Sequence, residues 1–202
     1  DDLISEIEQL AKKEIQKRIK EGTIEAVSKA EFEKRAEAIA LAAIKFYLLK
    51  IEPVKDILFV PEKAISFEGE TGAYVQYAHT RAASILRKAE KAEKTKTAKK
   101  AKEKVKFAAK ALRLNETEEY QLVRALSRFP EIIEAAARQL KPDLIAIYAY
   151  KLAQTFTAFY SNLKVLTEDK QERAERLQLT AATKQLLHNC FQLLNIKPIE
   201  RM

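Results

Sequence analysis

Glycine is so scarce in this chain that most of the backbone is expected to form regular helices. Only 3 of the 202 residues are glycine, and two of them, Gly69 and Gly72, lie in the same short stretch. Glycine is favoured where the backbone needs a positive φ or has to approach another part of the molecule closely. We therefore expect a tight loop at residues 68–72, with helices before and after it.

The residues that follow this loop place aromatic and basic side chains on one side of a predicted helix. The helix starts near Ala73, and Tyr74, Tyr77 and Arg81 are spaced three and four residues apart, which puts them on one face. Aromatic rings stack on bases, and arginines bind phosphates. The alternative is structural, because tyrosines on a helix face often belong to the core and Arg81 can bridge to a helical neighbour.

The rest of the sequence predicts an all-α protein. Hydrophobic residues make up 47% and charged residues 33%, with 5 prolines and no tryptophan, and strong helix formers are abundant. The apolar run 57–61 has no partner strand, so we expect it to be extended or irregular. Apolar residues recur with the helical period in seven stretches. These are residues 1–20, residues 29–50 approximately, a stretch that starts near residue 73, residues 120–129, a stretch that starts at residue 130, about twenty residues from 141, and a last stretch that ends at residue 195.

Polar residues mark where several of these helices begin and end. Residues 115–118 have the order of a capping box. Thr167 is the expected cap of the last and longest helix, with the acidic residues 168–169 in its first turn. Asn195 is expected to end that helix, because asparagine tolerates the left-handed conformation.

The charge favours an anionic partner. Lys and Arg number 37 against 29 Asp and Glu, which gives a net charge of +8. Nucleic acid is favoured over a membrane, because no amphipathic stretch is unusually apolar or rich in tryptophan. The basic segment 87–106 is expected to be a solvated helix end, a basic hairpin or partly disordered. Its lysines either contact RNA or form a solvated face.

Three further features of the sequence indicate the cellular compartment and the extent of the chain. A single cysteine, Cys190, excludes an intrachain disulfide and suits a reducing compartment, so we expect a cytoplasmic protein. No apolar run is long enough to span a bilayer, and there is no leader-like segment. The chain starts with Asp1 rather than methionine, so we expect a fragment.

Residues 66–81 resemble the SFEGxTGPYxQYAHxR block of arginyl-tRNA synthetases, at the start of their C-terminal anticodon-binding (DALR-type) domain. The notable departure is Ala73, where the family usually has proline, and its loss makes the helix start less rigid. Further segments of this chain resemble later blocks of the family in the same order, namely Asp1 to Ile4, Phe129 to Glu131, Lys141 to Leu144, Phe156 to Tyr160, Arg176 to Leu179, Leu193 to Ile196 and Glu200 to Met202.

This resemblance implies an architecture and a function. It implies the helical bundle of the class I aminoacyl-tRNA synthetase anticodon-binding type, with residues 1–65 joining the catalytic part to an anticodon-binding domain at 66–202 that carries the basic insertion at about 87–106. The expected function is recognition of arginine tRNA isoacceptors within an arginine–tRNA ligase. ATP and magnesium would serve the full enzyme, whose catalytic domain lies upstream. This chain alone, without cofactors, would be an inactive and monomeric tRNA-binding part.

The resemblance also implies a set of tRNA-binding residues. Tyr160 and Met202 would lie beside the central anticodon nucleotides, and the glycine loop would support the other side. The two loop carboxylates could instead form an acid–base pair, although loop capping is the simpler reading. The complete set of expected tRNA-binding residues is Glu68, Gly69, Glu70, Thr71, Gly72, Tyr74, Tyr77, Arg81, Tyr160 and Met202.

Catalytic and metal-binding signatures are absent from the sequence. It contains no HIGH-type or KMSKS motif, no glycine-rich loop after a strand and no nucleophile–base pair. The two histidines, His79 and His188, lack ligands at metal-binding spacing. Cys190 is interpreted as a buried small hydrophobe. The competing function is a basic helical scaffold that binds protein partners or a membrane surface, which would show no preference for arginine tRNA.

Overall fold

The computed structural model describes residues 2–22, 27–96 and 113–201, with side chains described up to residue 92 in the second range. These ranges form α-helices and connecting loops without a strand, which confirms the all-α fold class. The helices are α1 (Asp2–Lys20), α2 (Lys29–Leu49), α3 (Pro61–Ile65), α4 (Gly72–Lys96), α5 (Thr117–Ser127), α6 (Phe129–Gln139), α7 (Asp143–Asn162) and α8 (Lys170–Leu193).

The first buried cluster lies between α1, α2 and α3. Helix α1 contributes one apolar stripe, Ile7, Ala11 and Ile15, at the spacing that keeps side chains on one face. Those residues pack against the small and aliphatic side chains of α2, together with Phe67. Because alanines dominate this face of α2, the two helix backbones can approach each other closely.

The second buried cluster is centred on α7. Leu152, Phe156 and Phe159 are fully buried there and pack with residues of α4, α5 and α8. Helix α2 takes part in this cluster as well, through Ala42 and Phe46. Since α2 is shared by both clusters, the expected division of the chain at residue 65 stays a prediction.

A buried ion pair joins α8 to the first turn of α5. The guanidinium of Arg176 donates to Glu119 at 2.8 Å and to the carbonyl of Lys164 at 3.0 Å. The other carboxylate oxygen of Glu119 accepts from the backbone amides of Asn115 and Glu116. A single pair of side chains therefore fixes the start of α5 and the loop between α7 and α8.

Two predicted helix starts are wrong by one or two residues. The capping box lies at Glu116 and Glu119 rather than at 115–118. Helix α8 starts at Lys170, and its cap is Asp169, whose carboxylate accepts from the amide of Glu172 at 2.7 Å. The longest described helix is α4, at 25 residues, rather than α8.

The chain leaves α8 at Asn195, which has a φ of 52°, as expected for the residue that ends this helix. The following tail returns along α4. Gln76 donates to the carbonyl of Lys197 at 2.9 Å, and the ring of His79 lies 3.0 Å from the carbonyl of Ile199. Gln76 and His79 are fully buried, so these bonds anchor the tail inside the protein.

Candidate functional site

The loop before α4 is held by hydroxyl groups. Thr71 donates to the carbonyl of Ser66 at 2.5 Å and accepts from the amide of Tyr74 at 3.1 Å, so it caps α4. Ser66 in turn accepts from the amide of Glu68 at 3.0 Å. The carboxylates of Glu68 and Glu70 are exposed and form no hydrogen bond or ion pair with the described residues. The caps of this loop are therefore hydroxyls, and both carboxylates face solvent.

The two loop glycines serve different purposes. Gly69 has a φ of 75°, with open space around it. Gly72 lies against α2, where a Cβ atom would overlap with the carbonyl of Ala42 and reach within 3.0 Å of Cβ of Phe46. One glycine therefore supplies the left-handed backbone conformation, and the other allows α4 to start in direct contact with α2.

Arg81 and Tyr160 are brought together by the packing of α4 on α7. The guanidinium carbon of Arg81 lies 5.3 Å from the centroid of the Tyr160 ring, within the range of a cation–π contact. Arg81 is exposed, whereas Tyr160 is half-buried and packs on Phe156 at 5.2 Å between ring centroids. Burial, and to a lesser extent the neighbouring Tyr77, raise the pKa of the Tyr160 phenol. The arginine thus forms the outer layer over the tyrosine.

Tyr74 connects to the same face of α7. Its hydroxyl donates to Thr157 at 3.2 Å, and its ring lies 5.5 Å from that of Tyr150. Tyr150, Thr157 and Tyr160 follow one face of α7, seven and three residues apart. Sequence analysis missed Tyr150 and Thr157, although this spacing relative to Tyr160 could have revealed them.

Tyr77 connects this group of side chains to α1 through Phe67. Its ring lies 6.5 Å from that of Phe67, edge to face, and the guanidinium of Arg18 lies 4.5 Å from the centroid of Phe67. Arg18 also binds Glu14 at 3.0 Å. Arginine and aromatic side chains therefore continue from α7 across α4 to the end of α1. Phe67 and Arg18 were not expected as part of the site.

Some expected site features lie outside the described residues or apart from this cluster. Met202 and residues 97–106 of the basic segment are outside the described ranges. The last described residues run on another side of α4, because Gln76, His79 and Arg87 hold the tail. These three follow a helical stripe that faces largely away from Tyr74 and Arg81.

The part of the chain that the structure describes contains neither a metal-ligating cluster nor a membrane-spanning helix. No group of three or more His, Cys, Asp and Glu side chains in residues 2–22, 27–96 and 113–201 could hold a metal ion. Within the same ranges, none of the helices has the length and apolar character needed to cross a membrane.

The helical bundle carries an exposed arginine over a half-buried tyrosine, which is the kind of surface on which single-stranded nucleic-acid bases stack. The comparison of sequences gives the class, since the family model described as "DALR anticodon binding domain" matches residues 75–202. The chain belongs to the DALR anticodon-binding domain family.

Similar proteins and structures carry the name arginyl-tRNA synthetase or arginine–tRNA ligase. The arginine–tRNA ligase of Thermococcus kodakarensis is 40% identical over 176 residues, covering 87% of this chain and 27% of that protein. The ligase of Treponema denticola is 37% identical over 204 residues, covering 100% of this chain and 32% of that protein. The solved arginyl-tRNA synthetase of Thermus thermophilus matches with a TM-score of 0.83 at 32% identity, covering 100% of this chain and 32% of that chain. This chain thus spans between a quarter and a third of the length of these relatives.

Proposed function

We propose that this chain recognises the anticodon region of an arginine tRNA as the C-terminal part of an arginine–tRNA ligase. The observation that carries the proposal is the position of Arg81 over Tyr160 in a cluster of tyrosines from α4 and α7. Family membership and the names of the similar proteins support it. Single-stranded RNA bases are recognised by stacking on aromatic rings and on guanidinium planes.

In this proposal the exposed guanidinium of Arg81 is the first group that an unstacked base meets. The ring of Tyr160 beneath it limits the orientations of the guanidinium, so less rotational freedom is lost on binding. We call Arg81 and Tyr160 together the platform. Tyr74 and Tyr150, whose ring centroids lie 5.5 Å apart, support the platform from the side. Each stacked base contributes about 1–3 kcal/mol as measured by truncation.

The groups around the platform would bind the rest of the nucleotide. Lys88 is exposed seven residues after Arg81, on the same face of α4, and would bind a phosphate. Glu68 and Glu70 are free to accept hydrogen bonds from exocyclic amines of bases. Thr71, Gly69 and Gly72 would act through the shape of their loop. Met202 stays in the proposed set as a prediction.

The proposal also assigns different roles in the whole enzyme to the two parts of this chain. Residues 66–202 would form the anticodon-binding domain, and residues 1–65 would join it to a catalytic part that uses ATP and magnesium. This chain alone would be a monomer without adenylation activity, in a cytoplasmic enzyme. Arginine-dependent pyrophosphate exchange by the purified chain should therefore stay at background, and measurable exchange would contradict this division.

The test compares variants of the platform on two tRNAs, arginine tRNA and a version with an exchanged anticodon. We expect Arg81→Gln and Tyr160→Ala to weaken binding of arginine tRNA about tenfold, since roughly 1.4 kcal/mol corresponds to a factor of ten. Binding of the exchanged tRNA should change little. The control is Arg138→Gln, which removes an exposed arginine of α6 that pairs with Glu134, and it should change neither affinity by more than about twofold.

Circular dichroism separates loss of contact from loss of fold in these variants. If folded Arg81→Gln weakens both tRNAs equally, or neither, the platform does not read the anticodon. A chain that binds all tRNAs alike, with no salt dependence, would instead fit the basic scaffold that binds protein or membrane, because RNA binding through phosphates weakens steeply with salt.

A further inference from the structure

The hydroxyl group of Thr157 lies between two tyrosines of the proposed RNA site. We propose that Thr157 is a positioning residue of that site. Its hydroxyl fixes the orientation of Tyr74 beside Tyr160 and thereby contributes to the choice of anticodon base. Thr157 acts through the phenols and does not itself contact the RNA. This inference rests on the proposed function.

Two phenols from different helices meet at this hydroxyl. Tyr74 of α4 donates to the side-chain oxygen of Thr157 at 3.2 Å. Burial raises the pKa of the Tyr160 phenol most strongly, and an interaction with the side chain of Thr157 opposes that shift. The phenol of Tyr160 therefore also lies next to the hydroxyl. Thr157 thus joins a tyrosine of α4 to the tyrosine of the platform.

A contact inside α7 fixes the direction of the hydrogen bond from Tyr74. Thr157 donates its only hydroxyl proton to the carbonyl of Ala153 at 2.8 Å, so its oxygen can only accept from other groups. Tyr74 has to donate its own proton to Thr157, and its oxygen then offers only lone pairs to a ligand. A base that presents an N–H group to this oxygen is therefore favoured over one that presents an acceptor.

The bond to Tyr74 distinguishes Thr157 from other helical threonines of this protein. A threonine inside a helix often donates to the carbonyl four residues earlier. That local bond also occurs at Thr80, Thr155, Thr180 and Thr183. In the part of the chain that the structure describes, only Thr157 among these five threonines also bonds a side chain of another helix. Its contact with α4 is thus additional to the local role.

The simpler alternative is that Thr157 only packs between α4 and α7 through its methyl group. Different atoms perform the two roles, so two substitutions separate them. Valine keeps the shape of the side chain and removes the hydroxyl, whereas serine keeps the hydroxyl and removes the methyl group. The matched control is Thr155→Val, because Thr155 donates to the carbonyl of Lys151 at 2.9 Å and has no partner in α4 among the described residues.

The test measures the preference for arginine tRNA over a tRNA with an exchanged anticodon, as the ratio of the two dissociation constants. Thr157→Val should reduce this ratio about fivefold, which corresponds to the net loss of one hydrogen bond. Thr157→Ser should keep the ratio within about twofold of wild type, and so should Thr155→Val. Circular dichroism verifies that each variant is folded.

A double-mutant cycle tests whether Thr157 acts through Tyr74. Tyr74→Phe removes the phenol oxygen, so it should reduce the ratio at least as much as Thr157→Val does. The double variant should show no further reduction, because both changes remove the same hydrogen bond. Additive reductions would mean that Thr157 acts elsewhere and would overturn the inference. If Thr157→Val does not fold, Tyr74→Phe decides alone, and a folded Tyr74→Phe that keeps the full ratio overturns the inference.

Two further results would overturn the inference and leave the proposed function standing. One is an unchanged ratio in folded Thr157→Val while Arg81→Gln reduces the ratio. The other is an equal reduction in Thr157→Val and in either Thr157→Ser or Thr155→Val, because the contact of the hydroxyl with Tyr74 would then not be responsible. If wild type itself shows no preference for arginine tRNA, the proposed function fails as well.

Discussion

Gly72 lies directly against the carbonyl of Ala42, with no room for a side chain between α4 and α2. This contact sets where α4 starts, and α4 carries Tyr74, Tyr77 and Arg81. A short distance between two backbones thus determines the position of the platform relative to the rest of the bundle.

We predict that Gly72→Ala destabilises the protein by about 3 kcal/mol. The added methyl group meets backbone atoms of α2, which cannot rotate away, so the helices have to separate. The free energy of unfolding in urea measures this change. The matched control is Gly69→Ala, where only the positive φ opposes the substitution and the cost should be about 1 kcal/mol. Equal costs for both variants would contradict the close approach.

The second prediction concerns the buried pair of Glu119 and Arg176. Glu119→Gln should lower the free energy of unfolding by about 2 kcal/mol, because the buried guanidinium loses one of its two carboxylate partners and keeps only Glu172, at 2.6 Å. The control is Glu134→Gln in the exposed pair with Arg138, which should cost less than about 1 kcal/mol. A similarly small effect at Glu119 would show that the pair does not hold α5 to α8.

The third prediction is that His79 makes the stability depend on pH. Burial is the main cause that lowers the pKa of His79 below 6.5, against the opposing effects of the Ile199 carbonyl and Glu200, while Lys184 and His188 lower it further. As the pH falls below 6.5, the unfolded chain therefore binds more protons than the folded protein does. This contribution to stability is complete above that pH and is lost as the pH falls toward the folded-state pKa.

Urea unfolding between pH 7.5 and 5.5 tests this prediction. Wild type should lose stability on acidification with a slope of at most about 1.4 kcal/mol per pH unit. His79→Gln retains an N–H donor for Ile199 and should show a flatter profile. If His188→Gln flattens the profile and His79→Gln does not, the buried histidine is not the source.

The fourth prediction is that Cys190 is unreactive in the native protein. Burial raises the pKa of its thiol to about 12, and the thiolate is the reactive form. Alkylation at pH 8 should be about 10³-fold slower in the folded protein than in denaturant. Lys17→Cys supplies the comparison, since its exposed thiol should react at the unfolded rate. Rapid alkylation of Cys190 without denaturant would contradict its burial.

The helices could be predicted from the sequence because each depends on local patterns. Periodic apolar residues predicted α1, α2 and α7, and the scarcity of glycine identified the loop at Gly69 and Gly72. The separate reasons for those glycines could not be predicted, because the contact of Gly72 is with α2, thirty residues away.

The helix starts that were wrong depend on partners distant in sequence. Glu119 closes the capping box because Arg176, 57 residues later, draws its carboxylate inward. Thr167 and Asp169 are both acceptable caps by residue type, and only the contacts of the folded chain select Asp169. The same reason applies to Tyr150, whose proximity to Tyr74 arises from the packing of two helices.

The anchored tail has a consequence for the order of folding. Lys45 donates to the carbonyl of Asn195, and Gln76 to that of Lys197, across sequence separations of 150 and 121 residues. Individual helices form within about a microsecond, whereas closing so long a loop has a much higher entropic cost. The tail should therefore dock late, and until then Gln76 and His79 would remain hydrated. The last stage of folding would then expel water from the interface between α4 and the tail.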